Sequence, residues 1–391
     1  MRFELTPQQQ ELRAELRAYF EALMTPDLVE ECTRSEGGGP LFREAMKTMG
    51  RDHWLGIGWP KEYGGRDMSK VEQMLFADEA QRAFFPFPFL TISTVGPTLA
   101  EYGTPEQKTE FLPRILAGEC FFSIGYSEAS AGTDLASLQT RAVRDGDDWV
   151  ITGQKLWTSL AEWADYVWLA ARTDPDAPKH KGISMFIVDT KSPGYSCSPI
   201  RTIGSIGTNA TYYEDVRVPA SALVGGEGGG WGLIVNQLNH ERVSLFSPGM
   251  PGRLHAETVG WARAKVMADG RRVIDIPWVR QNLARAEAKM EVLRLLAWRQ
   301  AWNMTNGTFD YSEASTVKVY GSELNIELYG LLMEVLGAAG TLRRGSPEAL
   351  IGGRVERMYR SMLILTFGGG TNEVQRDIIA IAGLGMPRPL R

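Results

Sequence analysis

Residues 120–137 carry hydroxyls, carboxylates and glycines at a spacing typical of a ligand-binding loop. Phe122, Ile124 and Tyr126 alternate with smaller residues, which predicts a short strand. Polar residues and a glycine follow it: Ser127, Glu128, Gly132, Thr133 and Asp134. Such a loop can approach a flat ligand closely, its hydroxyls and amides can donate to ring or carbonyl oxygens, and the short Asp can tie the loop to itself. An ordinary hairpin loop has a similar composition, so this segment alone leaves both interpretations open.

A second segment, residues 153–173, places Trp157, Thr158 and Ser159 at a turn after another strand. With this turn, the chain resembles the acyl-CoA dehydrogenase family. The family's signature S/T-E-x-x-A-G-S/T-D-x-x-S is matched by Ser127, Glu128, Ala131, Gly132, Thr133, Asp134 and Ser137. Its K-x-W-I-T-N turn is matched by Lys155, Trp157, Thr158 and Ser159. Since the motifs occur in the right order, the resemblance extends from residue 1 to about 387.

The resemblance implies FAD as cofactor and the α,β-dehydrogenation of an acyl-CoA thioester as the reaction. Trp157, which could otherwise be a core aromatic, is expected to pack against one face of the flavin ring. The other residues expected to contact the cofactor are Tyr126, Ser127, Thr133, Ser159, Thr371 and Glu373. Those expected to contact the substrate are Thr133, Arg242, Gly369 and Gly370.

This reaction needs a carboxylate that removes the α proton of the thioester. In much of the family it is a Glu before a Gly-Thr pair near the C-terminus, but here Gly369 occupies that position. The isovaleryl-CoA dehydrogenase branch instead places the base before an Arg on the first helix of the C-terminal bundle, which matches Glu241 and Arg242. We therefore expect Glu241 to be the base. A Glu-Arg pair on a helix is more often a solvated surface pair, and in that case the chain would be an inactive subunit.

The composition is that of a globular protein with no polyanionic partner. The chain has 391 residues, 43% of them hydrophobic and 23% charged, and a net charge of −5, which argues against nucleic-acid or membrane binding. Its three cysteines and four histidines show no metal-ligand spacing, so no metal site is expected. An odd cysteine count without a signal peptide predicts a cytoplasmic protein.

The hydrophobic pattern divides the chain into three domains and predicts an α+β, mostly α, fold. Residues 1–119 predict an N-terminal helical domain, with helix starts at Thr6-Pro7, Ser69 and Thr104-Pro105. Residues 120–230 predict a β domain that resembles the family's barrel-like middle domain, with a hairpin turn at Asp145-Gly146 and half-buried strands at 182–190 and 210–218. Residues 231–391 predict a four-helix bundle. Its predicted helices span 231–247, 253–267, 278–305, 312–336 and 347–382, the last with a break at 367–370.

Two segments depart from the family pattern. In many members an R-x-x-F-G segment pairs its Arg with the FAD pyrophosphate of a neighbouring subunit, but residues 266–278 contain no such segment. The second signature, Q-x-x-G-G-x-G-Y, is degraded at residues 334–341, where the family holds the neighbour's adenine end. This chain keeps the motifs expected around the flavin ring but has altered the two segments that would serve a neighbour's FAD. In this it resembles the paired acyl-CoA dehydrogenases of actinobacterial steroid side-chain catabolism, which assemble as α2β2 heterotetramers.

This resemblance predicts that the chain is the subunit carrying the base, with a paralogous subunit and an electron-transfer flavoprotein as partners. The segments at 3–20, 210–219 and 367–374 look especially like the subunit that acts on a three-carbon side-chain CoA of a steroid. Two alternatives stay open. One is a homotetrameric short- or branched-chain enzyme, and the other is a non-catalytic scaffold that completes a partner's FAD site.

Overall fold

The structure is a computed structural model that describes residues 4–35, 37–204, 207–244, 246–308 and 310–388, and only the backbone of 239–244. Its N-terminal part is helical. The helices are α1 (Pro7–Leu23), α2 (Pro26–Ser35), α3 (Pro40–Arg51), α4 (Lys70–Arg82), α5 (Gly96–Tyr102) and α6 (Pro105–Leu116). Thr6, Ser69 and Thr104 cap α1, α4 and α6 with capping boxes, which confirms the three predicted helix starts.

A β sheet follows and separates the helical parts of the chain. Its strands are β1 (Phe122–Gly125), β2 (Arg141–Asp145), β3 (Asp148–Ser159), β4 (Tyr166–Arg172), β5 (Ile183–Asp189), β6 (Tyr195–Ile200), β7 (Thr208–Pro219) and β8 (Leu223–Val224). Their order is β6-β7-β3-β2-β4-β5-β8, and β1 pairs in parallel with β4. The predicted hairpin joins β2 to β3, where Asp145 pairs with Asp148 and Gly146 has a φ of +63°.

Strand β5 differs from the half-buried strand predicted for 182–190. Residues 183–188 are all buried, so both faces of this strand are covered. One face joins the core of Trp149 and Val167, while Met185 and Ile187 join the core shared with the N-terminal helices. A strand covered on both sides has no polar face, so alternation is the wrong pattern for it.

The C-terminal part is again helical, with α7 (Gly230–Ser244), α8 (Gly249–Ala264), α9 (Pro277–Thr305), α10 (Tyr311–Leu336), α11 (Arg354–Ser361) and α12 (Asn372–Ile378). The long helix predicted over 347–382 is wrong. Ile351, Gly352 and Gly353 all have positive φ values, so the backbone cannot continue as a right-handed helix before α11. Phe367 to Gly370 then separates α11 from α12, at the predicted break.

One hydrophobic core joins the elements that matter for the site. It contains Phe122 and Tyr126 from β1 and its end, Trp168 from β4, and Leu233 and Ile234 from α7, together with the N-terminal helices. The end of β1 and the first bundle helix are therefore held in one packed unit. Among the helices of the described residues, none has the length and apolarity needed to cross a bilayer.

Candidate active site

Trp157 is presented to solvent by a β-bulge. The pairing of β3 with β7 shifts register between Lys155 and Thr158, and Trp157 lies between them with a φ of +64°. A bulge turns a side chain away from its regular direction, and a left-handed non-glycine residue costs roughly 1–3 kcal/mol unless its surroundings hold it. The indole is 57% exposed, so the bulge places a large aromatic surface outside the core.

A buried ion pair lies directly behind this bulge. Lys155 Nζ lies 2.8 Å from Glu128 Oε1 and donates to the carbonyl of Tyr126 at 3.0 Å. Glu128 also accepts from the amides of Gln139 and Thr140, at 2.7 and 2.8 Å. The two motifs seen in the sequence are therefore joined by one lysine and one glutamate.

The electrostatics of Glu128 reflect these contacts. Burial alone raises the pKa of its carboxyl, but the Lys155 ammonium and the hydrogen bonds from Lys155, Thr140 and Gln139 outweigh burial and hold that pKa below the usual value for glutamate. Glu128 is therefore a carboxylate that anchors the loop.

Backbone contacts bring the hydroxyls of the two motifs together. The amide of Leu156 donates to the carbonyl of Ser127 at 2.8 Å, and the hydroxyl of Ser123 donates to the carbonyl of Ser159 at 2.9 Å. Ser127 and Ser159 are half-buried and Thr133 is exposed. Each of these three predicted residues thus has a solvent-accessible part on the loop or turn beside Trp157.

The loop is also closed on itself, as predicted for Asp134. Ser137 Oγ donates to Asp134, and Lys179 pairs with the same carboxylate at 2.7 Å on the protein surface. Gly132 has open space where a Cβ would lie, so nothing crowds the loop at that point.

Tyr126 connects the loop to α7. Its ring is buried, the indole N–H of Trp168 donates to its hydroxyl at 3.2 Å, and that hydroxyl donates to Gln237 Oε1 at 2.7 Å. Its predicted contact with the cofactor remains a prediction. Glu241 and Arg242 follow Gln237 on α7, and their side chains lie outside the described residues.

The predicted residues at 369–373 belong to the C-terminal bundle. Gly369 and Gly370 have φ values of +69° and +98°. Thr371 caps α12 by accepting from the amide of Val374, and Glu373 is exposed on its first turn. The backbone and Thr371 hydrogen bonds lower the pKa of the Glu373 carboxyl.

This segment is held through α10. Lys318 Nζ donates to Asn372 Oδ1 at 2.7 Å, and Ser315 donates to Gln375 at 2.8 Å. These bonds fix Gly369 to Glu373 on the bundle, whereas the loop of Ser127 and Thr133 is fixed on the sheet. The structure thus brings the predicted site residues of the sheet together, whereas residues 371–373 make their contacts with the C-terminal bundle.

Comparisons with known proteins decide the family. Profiles of the N-terminal, middle and C-terminal domains of acyl-CoA dehydrogenases match residues 6–119, 123–216 and 228–384. The chain is 56% identical over 401 residues to the acyl-CoA dehydrogenase FadE26 of Mycobacterium tuberculosis, covering 100% of both proteins. This chain belongs to the acyl-CoA dehydrogenase family. Its members are FAD-dependent flavoproteins that oxidise CH–CH bonds.

Two solved structures of this family extend the comparison. A chain of the ChsE4-ChsE5 complex from Mycobacterium tuberculosis is 56% identical, with a TM-score of 0.94 and full coverage of both chains. A chain of the Tcur3481-Tcur3483 steroid ACAD is 51% identical, with a TM-score of 0.93 and again full coverage of both chains. The acyl-CoA dehydrogenase fold predicted from the sequence is thus confirmed.

The residues around Trp157 fit the family's flavin. The exposed indole provides an apolar surface for an aromatic ring, and Ser127, Thr133 and Ser159 are solvent-accessible on the loop and turn of the same two motifs. The buried amide Nε2 of Gln237, whose Oε1 accepts from Tyr126 just before the ring-side loop, has no hydrogen-bond partner within the described part of the chain.

Sequence reasoning missed two parts of this acyl-CoA dehydrogenase site. Glu128 and Lys155 were matched as motif letters without a role, although a Glu and a Lys in two adjacent motifs are a signal for an ion pair. No sequence signal marks Gln237, because the sequence does not show which residue a helix amide will contact. Its partner is known only once β1 and α7 pack together.

Proposed function

We propose that this chain is the base-carrying subunit of a heterotetrameric steroid acyl-CoA dehydrogenase that acts on a short side-chain CoA thioester. Support comes from its similarity to the Tcur3481-Tcur3483 steroid ACAD and to the ChsE4-ChsE5 complex. The observation that carries the proposal is internal to the chain. Its ring-side motifs are complete and anchored, while its first neighbour-facing segment lacks the R-x-x-F-G pattern. The second has Glu334 for the signature Gln, Ala338 for a glycine and Thr341 for the Tyr.

In the proposed mechanism Glu241 removes the proton from the carbon next to the thioester. When bound, FAD supplies the acceptor for the hydride that leaves the β carbon. The weak acidity of the α proton requires a desolvated base and donors near the thioester oxygen. Ser127, Thr133 and Ser159 hold the ring by hydrogen bonds, and Trp157 covers it from water.

The proposed substrate preference follows from Gly369. A glycine at the position of the more common base leaves that side of the thioester without a side chain, which makes room for a ring-bearing acyl group. Gly370 is required by local packing, because its φ is +98° and a Cβ there would lie 2.7 Å from Gln375 Nε2.

The first neighbour-facing segment lacks the R-x-x-F-G pattern, although it contains Arg271 and Arg272. Its Arg271 is held by Asp269 in an exposed pair at 2.7 Å, within a turn closed by the bridge between Val266 and Arg272. This arginine already has a carboxylate partner from its own turn.

The second neighbour-facing segment carries a carboxylate where the family holds the neighbour's adenine end. Glu334 is exposed and accepts from Asn282 at 2.7 Å, just before a 3₁₀ turn at Gly337–Thr341. A carboxylate at this position repels a phosphate group. Two such chains would therefore leave each other's pyrophosphate without its positive partner, whereas a paralogue that retains the arginine and glycines would supply it.

Helix α9 offers a surface for such an assembly. Four apolar side chains lie on it at heptad spacing and are exposed: Trp278, Val292, Leu295 and Trp302. Their positions are those of a and d residues, which form one stripe along a helix. An exposed apolar stripe on the longest bundle helix favours burial against another subunit.

Co-expression with the paralogous subunit, followed by a thioester panel, tests this proposal. We expect the complex to reduce its flavin fastest with a steroid short side-chain CoA, and to pass electrons to an electron-transfer flavoprotein. Faster turnover of octanoyl-CoA would contradict the steroid assignment. A colourless chain whose partner holds all the flavin would favour the scaffold alternative, and a yellow, active homotetramer would favour the homotetrameric one.

A further inference from the structure

Gln237 is a fully buried amide on α7 whose two ends have different surroundings. Its Oε1 accepts from the hydroxyl of Tyr126 at 2.7 Å, whereas its Nε2 has no hydrogen-bond partner within the residues that the structure describes. Leaving a buried N–H without a partner is costly, so native proteins satisfy almost all such groups.

The orientation of this amide is determined by its neighbours. The indole N–H of Trp168 can only donate, and it donates to the hydroxyl of Tyr126 at 3.2 Å. The phenolic O–H of Tyr126 donates to Gln237 Oε1 at 2.7 Å, so the carbonyl oxygen of the amide faces Tyr126. The Nε2 of Gln237 therefore faces away from Tyr126.

The position of Gln237 connects it to the proposed chemistry. Tyr126 directly precedes Ser127 of the ring-side loop, and position 241 follows Gln237 by four residues on α7, which places both on one helix face about 6 Å apart. A donor at this position is on the helix that carries position 241 and is joined through Tyr126 to the start of the ring-side loop.

We infer that Gln237 Nε2 donates a hydrogen bond to a carbonyl oxygen of the bound flavin–thioester pair. Both molecules present conjugated carbonyl oxygens, and an amide donor stabilises the negative charge that develops on such oxygens. Trp168 and Tyr126 act as positioning residues, because they hold the amide in the donating orientation. The inference rests on the proposed function only for the thioester, since the flavin is a property of the family.

The experiment uses the flavin-loaded complex with its co-expressed partner and compares three variants. Gln237→Leu removes the donor, and Gln237→Glu keeps the acceptor for Tyr126 but replaces the donor by a carboxylate. Gln300→Leu is the matched control, because Gln300 is a buried amide on α9 whose Nε2 also lacks a partner in the described residues.

The measurements distinguish a flavin carbonyl from a thioester carbonyl as the acceptor of the Gln237 hydrogen bond. If the acceptor belongs to the flavin, both Gln237 variants shift the visible spectrum and the reduction potential of the flavin before any thioester is added, or lose flavin while remaining folded. If it belongs to the thioester, the spectrum is unchanged and a steroid side-chain CoA binds about tenfold more weakly. The Gln300 variant changes neither property.

The inference is overturned if both Gln237 variants retain the wild-type spectrum, potential and thioester affinity, or if Gln300→Leu changes them equally. A wild-type complex that binds no steroid thioester would refute the proposed substrate, while the flavin measurement would still test Gln237.

Discussion

The ion pair of Glu128 and Lys155 is the feature on which the ring-side loops depend. Both side chains are buried, and together they contact the Tyr126 carbonyl and the amides of Gln139 and Thr140. Burying two charges is expensive, and removing one partner leaves the other charge uncompensated. The pair therefore specifies the geometry of the loops more than it adds to stability.

Replacing one member of this pair tests its role. We expect Lys155→Met to lower the free energy of unfolding by about 3 kcal/mol and to reduce flavin content, because a buried carboxylate loses its counterion. Lys179→Met is the matched control, since Lys179 pairs with Asp134 of the same loop at 61% exposure and should cost less than ~1 kcal/mol. Denaturant unfolding and flavin absorbance provide both measurements. Equal effects of the two variants would show that the loop does not depend on burial of the pair.

Acidification should remove the contribution of Glu128. Because its folded-state pKa is lowered, its stabilising effect is present above the ordinary glutamate pKa of about 4.3 and is lost as pH falls through the folded value. We expect the difference in unfolding free energy between wild type and Glu128→Gln to decrease as pH is lowered below about 4.3. A difference that stayed constant across that range would argue against a titrating, native-state carboxylate.

Glu241→Gln tests the base. The amide is nearly the same size but takes no proton, so the variant should bind flavin normally while flavin bleaching by substrate slows at least ~10²-fold. Stopped-flow reduction of the complex measures this rate, and the spectrum of the oxidised flavin shows that the cofactor is bound. Reduction at the wild-type rate would exclude Glu241 as the base.

At the scale of elements, the turn before α12 decides which residues position 369 accepts. Gly369 has a φ of +69°, a conformation that costs an L-residue roughly 1–2 kcal/mol. A glutamate restored there therefore carries backbone strain, so we expect Gly369→Glu to recover little activity in the Glu241→Gln background.

Gly369→Ala isolates this backbone effect. We expect it to destabilise the protein by about 1 kcal/mol. Gly260→Ala in α8, where a Cβ meets nothing within 4 Å, should instead stabilise it by up to about 1 kcal/mol through helix propensity. Thermal unfolding compares the two variants. A stabilised Gly369→Ala protein would contradict the left-handed geometry of this turn.

The elements show what could be predicted from the sequence. Caps such as Thr6 and Ser69 and the turn at Gly146 are local signals, so these element boundaries were predictable. The break at Ile351 to Gly353 has a local signal in the Gly352-Gly353 pair, which the predicted long helix ignored. The two covered faces of β5 depend on packing between distant elements, which no local pattern reports.

The candidate site also has a part that the sequence predicts and a part that it does not. The motif residues Ser127, Thr133, Trp157 and Ser159 were found by spacing, and the structure places them on the loop and turn that the buried pair joins. The hydrogen bonds between Trp168, Tyr126 and Gln237 join β4, the end of β1 and α7 across more than 100 positions. Such contacts depend on the tertiary fold, so sequence spacing could not indicate them.

At the scale of the whole molecule, the two halves of the flavin site have different properties. The motif residues proposed to bind the ring are all present in this chain, whereas Glu334 and the pair of Asp269 and Arg271 occupy the segments that would serve a neighbour's FAD. An anion without a positive partner is costly in a partly buried site, so self-association should not give a full complement of flavin. The apolar stripe of Trp278, Val292, Leu295 and Trp302 is the surface that a partner subunit would cover.

The most direct test is native mass spectrometry of the co-expressed complex, because it counts chains and flavins in one measurement. The partner should complete this chain's ring site, while the partner's own ring site would face the altered segment at 334–341 and stay empty. We predict an α2β2 assembly that carries two FAD molecules per four chains. Four flavins per tetramer, or a stable flavin-loaded homotetramer of this chain, would contradict the account.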